Sequence, residues 1–162
     1  MSASAERALG QRRFVLSNEQ DTIALGGRLA GCLKPGDCLA LAGDLGVGKT
    51  SLARSIIQAS VGEPCPVPSP TFTLVQTYDL DESRIWHFDL YRLGAADELL
   101  ELGWDEALAE ISLIEWADRA GSYLPADRVT ISLAFGGGEE ERSALIQAPE
   151  DWLARLMASD TD

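Results

Sequence analysis

The chain has 162 residues, 46% hydrophobic and 24% charged, and its 13 lysines and arginines face 26 aspartates and glutamates, a net charge of −13. This composition excludes a disordered chain, and the length fits one domain, which at this size buries about 70% of its unfolded surface. The acidity excludes tight nucleic-acid binding by the chain alone, but it is uneven: residues 1–60 carry a net +2 and residues 61–162 a net −15, so a phosphate ligand is still compatible with the first third.

Met1 to Arg13 is polar and has no apolar signal-peptide core, so residues 1–12 read as a disordered lead-in. Arg13–Leu16 is a short apolar run fit for a first strand. Ser17 and Gln20 have capping-box spacing, and Ile23, Leu29, Ala30 and Leu33 form a helical stripe that Gly26 and Gly27 weaken. Lys34–Asp37 is a turn. Cys38–Ala42 is apolar without alternation, as in a central strand buried on both faces. A glycine-rich loop, 43–48, leads into a helix over 49–60.

Four prolines between Val61 and Pro70 dictate an extended loop. Thr71–Tyr78 and Arg84–Leu90 read as a hairpin, and Ala95–Glu110 as short helices broken near Gly103. Ile111–Ile114 is a strand, followed by a short helix over 116–120 that Gly121 closes. Arg128–Phe135 and Arg142–Ala148 form a second hairpin. Pro149 opens a last helix to about Ala158, and 159–162 reads as a frayed tail. The pattern implies one α/β domain over 13–158, with a parallel core, antiparallel hairpins and flanking helices. No apolar run approaches the roughly 18 residues of a membrane span. Three cysteines without C-x-x-C spacing point to a reducing cytoplasm. The single histidine, His87, excludes a multi-histidine metal site.

Gly43-Asp44-Leu45-Gly46-Val47-Gly48-Lys49-Thr50 matches G-x-x-x-x-G-K-[ST] in full, between a buried strand and a helix. Glycines there let backbone N–H groups turn toward phosphate oxygens, and the following helix presents its positive end. In such a loop the lysine reaches the outer phosphates and the hydroxyl ligates Mg²⁺, which assigns those roles to Lys49 and Thr50. Asp44, Leu45, Gly46, Val47, Gly48 and Ser51 complete the expected cradle. The metal needs a carboxylate at the end of an apolar strand. Asp89, after Ile85-Trp86-His87-Phe88, and Glu115, after Ile111-Ser112-Leu113-Ile114, both qualify. No Asn-Lys-x-Asp element is present, so ATP is the expected nucleotide.

Together these motifs resemble the TsaE family, also called YjeE. The resemblance rests on the loop 43–50, Ser69-Pro70-Thr71-Phe72-Thr73-Leu74-Val75, His87-Phe88-Asp89-Leu90-Tyr91-Arg92-Leu93, Glu98-Leu99 with Leu102-Gly103, and Ile114-Glu115-Trp116. It covers about residues 17–134. It implies a P-loop NTPase-type fold, hydrolysis of ATP with Mg²⁺, and work beside TsaD-like and TsaB-like subunits in making threonylcarbamoyladenosine in tRNA, with tRNA touched only indirectly. By the same resemblance Thr71 belongs to a switch-like loop, Asp89 is the strand carboxylate, and Glu115 with Trp116 lies near the metal and the γ-phosphate. The segment 17–22 is implied to approach the base. Val47, Ser51 and Ala117-Asp118 depart modestly from the family pattern.

Other residues have plainer readings. Trp104 and Trp152 read as helix core. His87 reads as a hydrogen-bonding strand residue, and the acidic run from Asp97 to Glu110 as a solvated helix face. Two other functions fit a P-loop: a small-molecule kinase with Arg92, Arg119 and Arg128 clamping an acceptor, or an ATP-binding adaptor that does not hydrolyse.

Overall fold

The structure, a computed structural model, describes residues 8–159. It contains one seven-stranded sheet in the order β1-β7-β6-β2-β5-β4-β3. The strands are β1 (Leu9–Leu16), β2 (Cys38–Ala42), β3 (Val75–Asp79), β4 (Arg84–Asp89), β5 (Ile111–Glu115), β6 (Val129–Phe135) and β7 (Arg142–Pro149). β6, β2, β5 and β4 run parallel as the core of the sheet, while β3, β7 and β1 add antiparallel strands at its flanks. The expected mixed sheet with a parallel core and hairpins is therefore present.

Two apolar layers sandwich the sheet, and β2 feeds both. Leu39 and Leu41 enter one layer with helices α1 (Glu19–Cys32), α2 (Lys49–Val61) and α4 (Glu150–Ala158). Cys38 and Ala40 enter the other, with the 3₁₀ helices Ala96–Leu102 and Ala117–Tyr123 and helix α3 (Trp104–Ala109). A continuous apolar run is what a strand covered on both sides needs. β4 divides likewise, with Ile85 in the first layer and Trp86 and Phe88 in the second. Trp104 and Trp152 are buried, as their helix-core reading requires.

Several local expectations change. β1 begins at Leu9 rather than Arg13, because residues 9–12 pair with 146–149 of β7, a partner distant in sequence. Of the expected lead-in 1–12, residues 1–7 lie outside the described residues; of the expected tail 159–162, only Ser159 is described, and its hydroxyl donates to the Leu156 carbonyl. The N-cap of α1 is Asn18, not Ser17: the Asn18 side chain accepts the Asp21 N–H, and the Asp21 carboxylate reaches back to the Ser17 N–H. Ile23 is exposed, and the buried stripe is Leu25, Gly26, Leu29 and Cys32. Gly26 does not weaken the helix so much as admit α2: a Cβ there would lie 2.4 Å from the Ser55 Cβ. Thr71–Leu74 is a turn closed by the Leu74 N–H on the Pro70 carbonyl, so β3 starts only at Val75. The acidic run is exposed except Glu110, whose carboxylate accepts the Trp86 indole N–H. No helix among the described residues is long and apolar enough to cross a membrane.

Candidate active site

Parallel strands open their carboxyl ends to ligands. Here β2, β4 and β5 end together at the start of α2. Gly43 leaves β2 at φ +140, and Gly48 caps α2 at φ +115. Val47 anchors the loop between them, its side chain buried in the core and its carbonyl accepting from Arg142 Nε at 3.2 Å.

Lys49 is buried at 6% exposure. Its Nζ donates to the Gly43 carbonyl at 2.6 Å and sits 3.6 Å from the centre of the Trp116 ring, a cation–π contact. Burial pushes the Lys49 ammonium below its ordinary range; Glu115 and Asp89 pull it back up. Trp116 is held where it can meet the lysine by a left-handed backbone, φ 57. Its ring thus lies at the site, as the family resemblance implies.

In the ladder between β4 and β5, Asp89 lies opposite Glu115 and His87 opposite Leu113. The two carboxylates thus share one face at the strand ends, at 4% and 2% exposure. Thr50 Oγ1 donates to Glu115 Oε1 at 2.7 Å. The other oxygen, Oε2, is 2.7 Å from His87 Nε2. Asp89 accepts the Thr71 hydroxyl at 3.1 Å and the Tyr91 N–H at 3.0 Å, and Thr71 pairs with the Ser69 hydroxyl at 2.7 Å. The left-handed Leu74 (φ 68) ties this turn to the strand end, its carbonyl accepting the Asp89 N–H.

A cavity of about 350 Å³ collects these groups: Leu45, Gly46, Gly48, Lys49, Thr50 and Ser51 line one side, and Thr71, Asp89, Glu115 and Trp116 the other. Of the residues expected there, Asp44 and Val47 do not line it. Asp44 is exposed, with its carbonyl taken by the Val47 N–H. Val47 instead lines a second cavity of about 330 Å³ across the loop, with Leu16, Asn18, Thr22, Leu133 and Arg142. Arg142 escaped sequence reasoning, since its partner Val47 is 95 residues away. None of Arg92, Arg119 and Arg128 lines the cavity of Asp89 and Glu115. Arg92 lies over the Phe72 ring, Arg119 over Tyr91, and Arg128 donates to the Pro125 carbonyl.

Comparison with known proteins now decides the family. The model for Threonylcarbamoyl adenosine biosynthesis protein TsaE matches residues 16–144. This chain belongs to the TsaE family. It is 43% identical to the tRNA threonylcarbamoyladenosine biosynthesis protein TsaE of Rickettsia felis, over 74% of this chain and 71% of that one. The TsaE protein of Nostoc sp. is 35% identical over 91% of this chain and 92% of its own. Among solved structures, Bacillus subtilis YdiB superposes with a TM-score of 0.79 at 28% identity, covering 95% of this chain and 99% of that one. A TsaE protein thus carries a hydroxyl, a lysine and two buried carboxylates around one P-loop.

Proposed function

We propose that this chain is the ATP-hydrolysing subunit of tRNA threonylcarbamoyladenosine biosynthesis, acting in the cytoplasm beside TsaD-like and TsaB-like subunits. The observation that carries the reading is the Thr50–Glu115 hydrogen bond of 2.7 Å at the start of α2, beside Lys49. Mg²⁺ favours oxygen ligands and is held in such sites by one or two carboxylates together with phosphates and water. The donor set fits: the Thr50 hydroxyl and the two buried carboxylates, Asp89 and Glu115, line one cavity. Thr50 and Glu115 would hold the ion, with Asp89 beside them. When bound, Mg²⁺ neutralises charge on the phosphate oxygens.

The protein's own groups supply the rest. Backbone N–H groups of Leu45, Gly46 and Gly48–Thr50 and the N-terminus of α2 bind the phosphates. Lys49 turns from the Gly43 carbonyl to the outer phosphates and stabilises charge that develops there. Asp89, holding the Thr71 hydroxyl, orients the attacking water at the mouth of the cavity. The second cavity, beside Asn18 and Thr22, takes the nucleoside end. The acidity of residues 61–162 keeps tRNA on the partner subunits.

Phosphate release from ATP by the full chain, alone and with the two partner subunits, tests this reading. Lys49→Ala is expected to lower the rate by about 10²–10³-fold, the loss typical of one transition-state donor. Unchanged release in that variant, or transfer of the phosphoryl group to a small molecule in place of free phosphate, refutes the proposal.

A further inference from the structure

His87 is the only histidine in the chain, and it is fully buried. No step above uses it. Its neighbours along the first-layer face of β4 and β5, Ile85 and Leu113, are apolar core residues, so packing alone would be met by another hydrocarbon. Instead its Nε2 faces Glu115 Oε2 at 2.7 Å, across a diagonal of the parallel ladder. The Nδ1 atom is buried and has no hydrogen-bond partner among the described residues. A buried N–H left orphaned is rarer and costlier than a bare acceptor, which assigns the hydrogen to Nε2 and makes the histidine the donor.

A glutamate's terminal torsion is broad and roughly two-fold, so a free Glu115 carboxylate would turn. Here it is held from both ends, by Thr50 on Oε1 and by His87 on Oε2. We propose that His87 is a positioning residue, which holds Oε2 at the back of the site and so leaves Oε1 as the oxygen that faces Thr50 and a bound Mg²⁺. The proposal rests on the Mg²⁺·ATP reading above. It assigns His87 to cation affinity rather than to proton transfer. Outer partners of metal ligands typically govern 10–100-fold of metal affinity or activity.

Two measurements test it. The first titrates Mg²⁺ at saturating ATP in wild type, His87→Leu and His87→Gln, with Tm as the folding control. His87→Leu should raise the half-saturating Mg²⁺ by about 10–100-fold. His87→Gln, whose amide nitrogen reaches the place of Nε2, should stay within about threefold of wild type, since one donor is exchanged for another. The second is a nitrogen-15 spectrum of the tag-free protein, where the single histidine gives the only imidazole signals. It should show hydrogen on Nε2, and those signals should move in Glu115→Gln. Should His87→Leu fail to fold, the glutamine variant and the spectrum still decide. A His87→Leu titration that overlays wild type, a glutamine variant as impaired as leucine, or hydrogen on Nδ1 overturns the proposal. Wild-type protein that binds no ATP at any Mg²⁺ concentration overturns the functional reading itself; the spectrum reads the His87–Glu115 contact independently of turnover.

Discussion

Two glycines of the P-loop predict unequal losses of stability. At Gly43, φ is +140, and a Cβ would lie 2.6 Å from the Leu133 carbonyl oxygen and 2.8 Å from Val47 Cγ1. Leu133 belongs to β6 and lies opposite Ala144 of β7, so its backbone cannot retreat without disturbing the ladder between β6 and β7. At Gly46, φ is +81, and a Cβ would meet no atom of the described residues within 4 Å. Gly46→Ala therefore costs only the left-handed backbone term, about 1–2 kcal/mol. Gly43→Ala adds an overpacking term of about 1–3 kcal/mol. For a chain of this size each kcal/mol moves Tm by about 2–4 °C, so Gly43→Ala should lose roughly twice as many degrees as Gly46→Ala. ATP affinity should show a loss at position 46 as well. Gly46 lines both cavities, and its methyl would stand where phosphates pass, costing about tenfold, or 1.4 kcal/mol. Thermal unfolding followed by circular dichroism and ATP titration of both variants check this. Equal Tm losses, or a Gly46→Ala variant that binds ATP as tightly as wild type, would refute the reasoning.

Two further predictions follow from named contacts. Trp86, Trp104 and Trp152 are buried, whereas half-buried Trp116 carries Lys49 Nζ over its ring, so ATP binding should change tryptophan emission through Trp116; the response should vanish in Trp116→Phe, and its persistence there would refute the lysine movement. Burial raises the thiols of Cys32 and Cys38 from 9.0 to about 11, so at pH 8 only about one in a thousand is thiolate. A thiol reagent should then label half-buried Cys65 first and the other two only after unfolding or as the pH climbs toward 11; fast labelling of Cys65→Ser at pH 8 would contradict that.

Legibility in the sequence followed the range of the interactions. β2 is found where its apolar run placed it, because burial on both faces is written in five consecutive residues. The P-loop is likewise a local motif, and Asp89 and Glu115 stand out as carboxylates ending apolar strands. The first half of β1 was hidden, because Leu9–Arg12 carries little apolar pattern and becomes a strand by pairing with β7. Gly26 was misjudged for a similar reason: its value lies in the approach of Ser55, not in its own propensity. At the site, the contacts of His87 with Glu115 and of Arg142 with Val47 join residues 28 and 95 positions apart. Neither spacing has a local signature. Thr71 was placed on a strand, yet the left-handed Leu74 folds it into the turn that brings its hydroxyl to Asp89.

The most direct measurement of the central claim follows threonylcarbamoyl groups formed per copy of the partner complex in a reaction reconstituted from this chain and the two partner subunits with an excess of tRNA. With the wild-type chain and ATP, modification should continue through many turnovers, with phosphate released alongside. With Lys49→Ala, both modification and phosphate release should fall by about 10²–10³-fold. Wild-type turnover in that variant would contradict an ATPase at Lys49, Thr50, Asp89 and Glu115.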